Sequence, residues 1–196
     1  ITDATCFSFQ AIKQITSGDG GILTVKRKDW AQRAKLLRWY GIDRTFTGDL
    51  YKKFKVKEVG YKYHMHDLAA TLILAQIEDI KNILARRKEI AERYRRELTG
   101  VSGLTLTAAP SDRVSGNWLF TIQVERRDDF QASLSAAGIE SGQVHIRCDV
   151  IPIFGGKKQR LPVMNAVEPH YTCIPLHNHL SDDDVEHVIH TIQSGW

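Results

Sequence analysis

The fold of this chain is decided near its start by the stretch Cys6-Phe7-Ser8-Phe9-Gln10-Ala11-Ile12-Lys13-Gln14-Ile15-Thr16-Ser17-Gly18-Asp19-Gly20-Gly21. An apolar run leads to a hydroxyl residue and a lone lysine, and a small polar turn with three glycines follows. The next residues, Ile22-Leu23-Thr24-Val25, form a second strand-like run. The pattern predicts a strand, a lysine turn and a second strand, with Lys13 held between two buried strands.

A lysine in that position has two interpretations. Loss of the surrounding water makes a lysine amine more nucleophilic, which is the property that Schiff-base chemistry needs. The alternative is a surface lysine in a hairpin loop, which is the commoner situation because lysine is rarely buried.

Four features of the stretch, in their order and spacing, resemble the cofactor-lysine segment of the DegT/DnrJ/EryC1/StrS family, the sugar aminotransferases that use pyridoxal phosphate. These features are Ser8-Phe9, Lys13, Thr16 and Gly18-Asp19-Gly20-Gly21. Asp19 stands where the family more often has glutamate.

Two more segments resemble the same family. Gly60-Tyr61-Lys62-Tyr63-His64-Met65 is similar to its Gly-Tyr-Asn-Tyr-Arg-Met run, with Lys62 in place of asparagine and His64 in place of arginine. Ile174-Pro175-Leu176-His177 is similar to its Leu-Pro-Leu-His element. The resemblance runs from Cys6 to Ile192 and covers only the C-terminal half of a family chain.

The resemblance implies an α/β fold, namely the C-terminal half of a type I pyridoxal-phosphate-dependent transferase. Residues 1–76 would be the remainder of the large cofactor-binding domain, and residues 77–196 a linking helix and the small α/β domain. The N-terminal half of a family member carries the aspartate that pairs with the pyridinium nitrogen, the aromatic ring that stacks on the cofactor, and the first phosphate loop. We expect that half to be either missing from this sequence or supplied by another chain.

The activity that the resemblance implies is the transfer of an amino group, in most of the family from glutamate, to a keto sugar carried on a nucleotide. Lys13 would hold pyridoxal 5'-phosphate covalently and then move a proton as general base and acid. Ser8 would hydrogen-bond the cofactor phosphate, and Gln10 would lie near the cofactor. Lys62 would reach the same phosphate across a subunit interface, so a homodimer with a shared active site is expected.

The candidate substrate contacts are His145, Arg147 and His177, each of which could instead be structural. Two rival functions stay open. A sugar dehydratase of the same fold uses histidine in place of the lysine, so Lys13 argues against it. A non-catalytic binding or regulatory module is the rival from another class.

The 196 residues carry a formal net charge of +4, and 42% of them are hydrophobic, which suits one globular domain or two small ones. The mild positive charge is compatible with binding of anions such as phosphates. The sequence has no basic patch interleaved with aromatic residues, so nucleic-acid binding is not predicted. Lys53, Lys55 and Lys57 alternate with Phe54 and Val56, which predicts a strand with one basic face. That face is either a solvated edge or an anion-binding strip.

The three cysteines, Cys6, Cys148 and Cys173, are far apart and odd in number, so we expect neither a disulfide framework nor a paired metal motif. A reducing, cytoplasmic setting fits this cysteine usage. The eight histidines lack the spacing of a zinc motif, so no metal is expected. No apolar run is long enough to span a membrane.

Apolar residues recur at helical spacing across residues 78–98, which predicts a long helix. Further along, the pattern predicts an α/β arrangement with Ser181 as the N-cap of the last helix. The predicted elements are strands at Leu104–Thr107, Asn117–Val124 and Tyr171–Pro175, the second of them central, and helices at Arg127–Ala137 and Asp182–Ser194.

Overall fold

A hairpin and three helices make up the first part of the chain. The computed structural model describes residues 2–196, apart from the side chain of Lys53. These residues form two compact units, of which the first ends at Ile80 and the second begins at Lys81. The first unit contains β1 (Ala4–Ser8), β2 (Gly21–Val25), α1 (Lys28–Leu37), α2 (Leu50–Lys53) and α3 (Asp67–Ile77). β1 and β2 pair antiparallel, with Ser8 opposite Gly21. The predicted strand, turn and strand are therefore confirmed.

The two strands of the hairpin are exposed, so the prediction that they are buried is wrong. Phe7 is 53% exposed and Leu23 is 50% exposed. A hairpin has two faces, and the neighbouring helix α1 lies beside β2 but leaves these side chains in solvent. Phe9, which directly follows β1, is the buried residue of this region.

The segment with alternating lysines contains a helix end rather than the predicted strand. The Asp49 side chain caps α2 by accepting a hydrogen bond from the Tyr51 backbone N–H at 2.9 Å, which starts a helical turn. This helix ends at Lys53, and Lys55 and Lys57 follow in irregular, exposed chain. The alternation of lysines therefore does not indicate a strand, because Lys53, the first of the three, belongs to the capped helix α2.

The second unit is built on a three-stranded antiparallel sheet. Its strand order is β3-β4-β5, so β4 is central, as predicted. The predicted strands and helices are confirmed to within a few residues at their ends, and Ser181 caps the last helix through a capping box with Asp184. The elements are α4 (Ile80–Leu98), β3 (Leu104–Leu106), β4 (Phe120–Val124), α5 (Arg127–Ala136), α6 (Pro162–Val167), β5 (Tyr171–Ile174) and α7 (Asp182–Gln193).

The helices α4, α5 and α7 contribute with the sheet to one hydrophobic core. Alternate residues of β4 are buried in it, and Ile122 is fully buried. From α4 the core takes Ile90, Tyr94 and Leu98. The Tyr94 hydroxyl donates to the Pro175 carbonyl at 3.0 Å, and burial raises the pKa of Tyr94. Each buried hydroxyl of this kind needs such a partner, since an unpaired polar group in a core is costly.

Arg87 is a buried cation that binds main-chain carbonyls. Its Nη1 donates to the carbonyl oxygens of Asn117, Trp118 and Leu176 at 3.2, 3.3 and 3.0 Å. Burial lowers the pKa of Arg87. The side chain ties the segment before β4 to the segment after β5.

A buried ion pair organises residues 147–168. Arg147 donates from Nε and Nη2 to the two carboxylate oxygens of Asp149, at 2.8 and 2.6 Å. Its Nη1 donates to Asn165 Oδ1 at 2.7 Å, and Asp149 Oδ2 accepts from the Gln159 N–H at 2.7 Å. The Arg147 and Asp149 side chains are 3% and 10% exposed. The guanidinium holds the pKa of Asp149 well below its usual range, so the pair stays charged at neutral pH.

Truncation of Leu98 should cost more stability than truncation of Leu84 on the same helix. Leu98 is fully buried, so Leu98→Ala should lower the free energy of unfolding by about 2–5 kcal/mol. Leu84 is 38% exposed, and Leu84→Ala should lower it by less than about 1 kcal/mol. Urea denaturation of the two variants measures the difference, and equal losses would contradict this placement of the core.

Removal of the Asp149 charge should loosen residues 147–168. In Asp149→Asn the buried Arg147 keeps its charge but loses its carboxylate partner. Asp112→Asn is the matched control, because Asp112 makes the same two-point bond to Arg113 while the two side chains are 65% and 68% exposed. We expect a lower Tm and faster amide hydrogen exchange across this segment in the first variant alone. Equal behaviour of the two variants would show that the buried pair does not organise the segment.

Candidate active site

Lys13 lies in a closed turn between β1 and β2. Its backbone N–H donates to the Gln10 carbonyl at 2.9 Å. Phe9 closes the base of the turn, since its N–H donates to the Gly20 carbonyl at 2.9 Å and its carbonyl accepts from the Ser17 N–H at 3.0 Å. Lys13 itself is half-buried. The amine is therefore carried by a hydrogen-bonded turn rather than by an open surface loop.

Ser8 and Gln10 lie at the start of this turn. Ser8 is exposed, and its Oγ accepts a hydrogen bond from the Gln10 N–H at 3.3 Å, which leaves the hydroxyl hydrogen to donate. The Gln10 side chain folds back, and its Oε1 accepts from the Ile12 N–H at 3.1 Å. Ser8 thus offers a donor to an anion, whereas Gln10 supports the shape of the turn.

Close approach of the two strands requires glycine at position 21. A Cβ on Gly21 would lie 2.6 Å from the Phe7 carbonyl oxygen, closer than Cβ atoms come in proteins. Gly20 has a φ of +116°, and a Cβ there would meet Met65 Cε at 3.2 Å. The glycines after Lys13 are therefore a requirement of this hairpin.

Gln76 is a contact of the lysine turn that the sequence pattern did not reveal. Its side-chain amide bonds both the N–H and the carbonyl of Thr16, 60 residues earlier, at 3.0 and 2.7 Å. The available signal was a polar residue near the end of the largely apolar helix α3. Periodicity tells which face of a helix is buried, but it does not tell what a polar side chain on that face meets.

Lys62 belongs to a cationic cluster of the first unit. It forms an isolated β-bridge with Trp39. His64 packs edge-on against the Trp39 ring, with ring centroids 4.0 Å apart, and the Arg44 guanidinium lies 4.6 Å from the same ring. His64 Nδ1 is buried and has no hydrogen-bond partner among residues 2–196. Burial is the main cause that lowers the pKa of His64. The positive charges of Lys62, Arg44, Arg38 and His66 lower this pKa further.

Two of the candidate substrate contacts, His145 and Arg147, lie in the second unit but differ in their surroundings. His145 is exposed, and its ring is tilted against that of Trp118, with centroids 5.7 Å apart. Arg147 is buried, and its guanidinium is engaged by Asp149 and Asn165 as described above. These bonds give Arg147 a structural role in its segment, and a direct contact with substrate stays a prediction.

The third candidate, His177, lines a cleft of about 530 Å³ in the second unit. Partial burial lowers the pKa of His177, and the positive charges of His179 and Arg87 lower it further, whereas Asp184 raises it. The imidazole is therefore neutral at neutral pH and can both donate and accept hydrogen bonds.

No helix within residues 2–196 is long and apolar enough to cross a membrane. In the same range, no three histidine, cysteine or acidic side chains are grouped so that they could hold a metal ion. The three cysteines are free thiols; Cys6 and Cys148 are exposed, and Cys173 is buried.

The residues of the first unit fit the cofactor that the resemblance implies. Lys13 supplies the amine that pyridoxal phosphate needs for its covalent bond, and Ser8 supplies a hydroxyl donor for a phosphate. The cluster around His64 is cationic and contains an unpartnered buried nitrogen. The chemistry of these donor groups suits an aldehyde that carries a phosphate.

Known proteins of one family resemble this chain. The model of the DegT/DnrJ/EryC1/StrS aminotransferase family matches residues 1–193. A curated relative, the UDP-4-amino-4-deoxy-L-arabinose–oxoglutarate aminotransferase of Shewanella sediminis, is 32% identical over 96% of this chain and 54% of its own length. The chain thus spans about half the length of the curated relatives it matches.

Solved structures share the fold. AtS13 from Actinomadura melliaura is 39% identical with a TM-score of 0.93, over 98% of this chain and 52% of AtS13. The sugar aminotransferase CalS13 from Micromonospora echinospora is 31% identical with a TM-score of 0.92, over the same shares of each chain. The predicted α/β fold, that of about half of a pyridoxal-phosphate aminotransferase, is confirmed. By sequence and by structure, the chain belongs to the DegT/DnrJ/EryC1/StrS aminotransferase family.

Proposed function

We propose that the protein is a pyridoxal-phosphate-dependent aminotransferase that adds an amino group to a keto sugar carried on a nucleotide. The observation that supports this proposal most is the closed turn that carries Lys13, which begins directly after Ser8. A turn fixed by the hydrogen bonds of Phe9 presents one amine at one place, which is what a covalently held cofactor requires. Membership of an aminotransferase family supports the reaction class.

Lys13 has two tasks in this proposal. Its Nζ would hold the cofactor covalently. When it is not engaged in that bond, the same Nζ would accept a proton from the substrate carbon and later return one, as general base and then as general acid. The bound cofactor supplies the electron sink for this chemistry.

The cofactor phosphate is assigned to groups of the first unit. Ser8 Oγ donates a hydrogen bond to it, Gln10 keeps the turn in shape beside it, and Lys62 contributes a positive charge. We assign Lys62 to the site of the neighbouring subunit, so the active form is a homodimer with a shared active site. His64 and Arg44 belong to the same cationic cluster, which supports an anion at this place.

The substrate contacts are assigned to the second unit, and glutamate is the proposed amino donor. His145 and His177 present imidazoles that can bond sugar hydroxyls, and Arg147 acts through the segment that it holds. The name of the Shewanella sediminis relative pairs a UDP-linked amino sugar with oxoglutarate. That pairing supports a nucleotide-linked sugar and a glutamate donor for this chain as well.

Residues 1–76 are assigned to the large cofactor-binding domain and residues 77–196 to the linking helix and the small domain. The matched relatives are about twice as long. The groups that hold the cofactor ring are therefore assigned to the other half of such a protein or to another chain. The three free cysteines support a reducing, cytoplasmic setting.

Lys13→Ala should abolish the visible absorbance that pyridoxal phosphate gives to the full-length protein, because the amine that forms the covalent bond is removed. Lys35→Ala is the matched control, since Lys35 is an exposed lysine on α1. Absorbance spectra of the two variants, recorded with equal cofactor, are the measurement. An unchanged visible band in Lys13→Ala would contradict the role of this residue.

Two measurements on the unmodified protein, its cofactor band and the transfer of labelled nitrogen, distinguish the rival functions. A non-catalytic binding module predicts no cofactor band in the unmodified protein. A sugar dehydratase of the same fold predicts a band without transfer of nitrogen from glutamate to the sugar, and glutamate with a labelled amino nitrogen detects that transfer. A band together with labelled amino sugar supports the aminotransferase.

Ser8→Ala should weaken cofactor binding by about 10–100-fold, because a hydrogen bond to a charged group contributes about 1.5–3 kcal/mol. Ser135→Ala is the control, since Ser135 is an exposed serine on α5. Titration of each variant with pyridoxal phosphate, followed by absorbance, gives the Kd values. A Kd for Ser8→Ala equal to that of the control would remove Ser8 from the phosphate site.

A further inference from the structure

Gln76 makes three hydrogen bonds, two of which connect α3 to the lysine turn. Its Oε1 accepts from the Thr16 N–H at 3.0 Å, and its Nε2 donates to the Thr16 carbonyl at 2.7 Å. Nε2 also donates to the Leu72 carbonyl of its own helix at 2.7 Å. A carboxamide can donate to and accept from the backbone of one residue in this way, whereas an ionised carboxylate has no hydrogen to donate.

Thr16 passes this restraint to the rest of the turn. Its Oγ1 donates to the Phe9 carbonyl at 2.9 Å and accepts from the Gly18 N–H at 2.9 Å. The Phe9 side chain is buried, and its N–H donates to the Gly20 carbonyl. Lys13 lies between Phe9 and Thr16, so the two ends of its segment are bonded to each other.

The helix α3 has two buried residues and a capped N-terminus. Ala69 and Ile73 are buried in the first unit. His66 caps the helix, with its Nδ1 accepting from the Ala69 N–H at 3.2 Å. A glycine-containing turn has many accessible conformations, and two hydrogen bonds to a capped helix reduce their number.

From these contacts we infer that Gln76 is a positioning residue for Lys13, because its carboxamide fixes the turn through Thr16 and thereby sets where the lysine amine stands. This inference rests on the proposed cofactor role of Lys13. Gln76 acts on the chemistry through the backbone of Thr16.

Gln76→Glu and Gln76→Met test the inference in the full-length protein. Glutamate keeps the shape but places a carboxylate oxygen opposite the Thr16 carbonyl, and methionine keeps the length without either bond. Gln32→Glu is the matched control, since Gln32 is exposed on α1. In both Gln76 variants we expect amide hydrogen exchange of residues 10–20 to be about tenfold faster than in the control.

The visible band of the bound cofactor is the second readout. A displaced amine should shift the pH at which this band titrates, and it should lower kcat more than it raises the KM of either substrate. Wild-type exchange of residues 10–20, together with a wild-type titration and kcat in both Gln76 variants, would overturn the inference.

Failure of the proposed function gives a different result. If the unmodified protein has no cofactor band, the aminotransferase proposal fails. The exchange comparison needs no cofactor, so it still decides whether Gln76 holds the turn: faster exchange in both variants supports that role, and unchanged exchange contradicts it. The methionine variant keeps this test valid if the added charge of the glutamate variant prevents folding.

Discussion

The carbonyl of Phe9 is the point on which the candidate active site depends. It accepts hydrogen bonds from the Ser17 N–H and from the Thr16 hydroxyl, at 3.0 and 2.9 Å. The Phe9 side chain is buried, which restrains the position of its carbonyl oxygen. The strands on either side of the turn, by contrast, are largely exposed. The turn therefore gains its order from hydrogen bonds rather than from a core around it. An amine on such a turn, at Lys13, combines a fixed base with access for a ligand.

The second unit obtains its order in another way. A central strand packs against three helices, and the buried side chains of β4 and α4 form a continuous core. Two buried arginines then hold irregular segments of the chain through hydrogen bonds. Arg87 binds three carbonyls around β4 and β5, and Arg147 with Asp149 holds residues 147–168. The donors of Arg147 are engaged by Asp149 and Asn165, whereas Arg87 keeps a buried Nε that has no hydrogen-bond partner among residues 2–196.

Periodicity predicted the long helix at residues 78–98 and the capped helix after Ser181, because their core faces repeat strongly along the chain. It failed for Lys53–Lys57, where a local cap at Asp49 outweighs an alternating pattern. The candidate site followed from a resemblance, since physical patterns left two interpretations of Lys13 open. The bonds of Gln76 to Thr16 join residues 60 positions apart, and no local pattern carries that information.

Chemical reduction of the cofactor-loaded, full-length protein shows which lysine carries the cofactor. Borohydride converts a labile bond between a lysine amine and the cofactor into a stable one, so peptide mass mapping can then locate the modified residue. We expect the added mass on the peptide that contains Lys13 and on no other lysine. Modification of a different lysine, or of none in a protein that binds the cofactor, would contradict the role of Lys13.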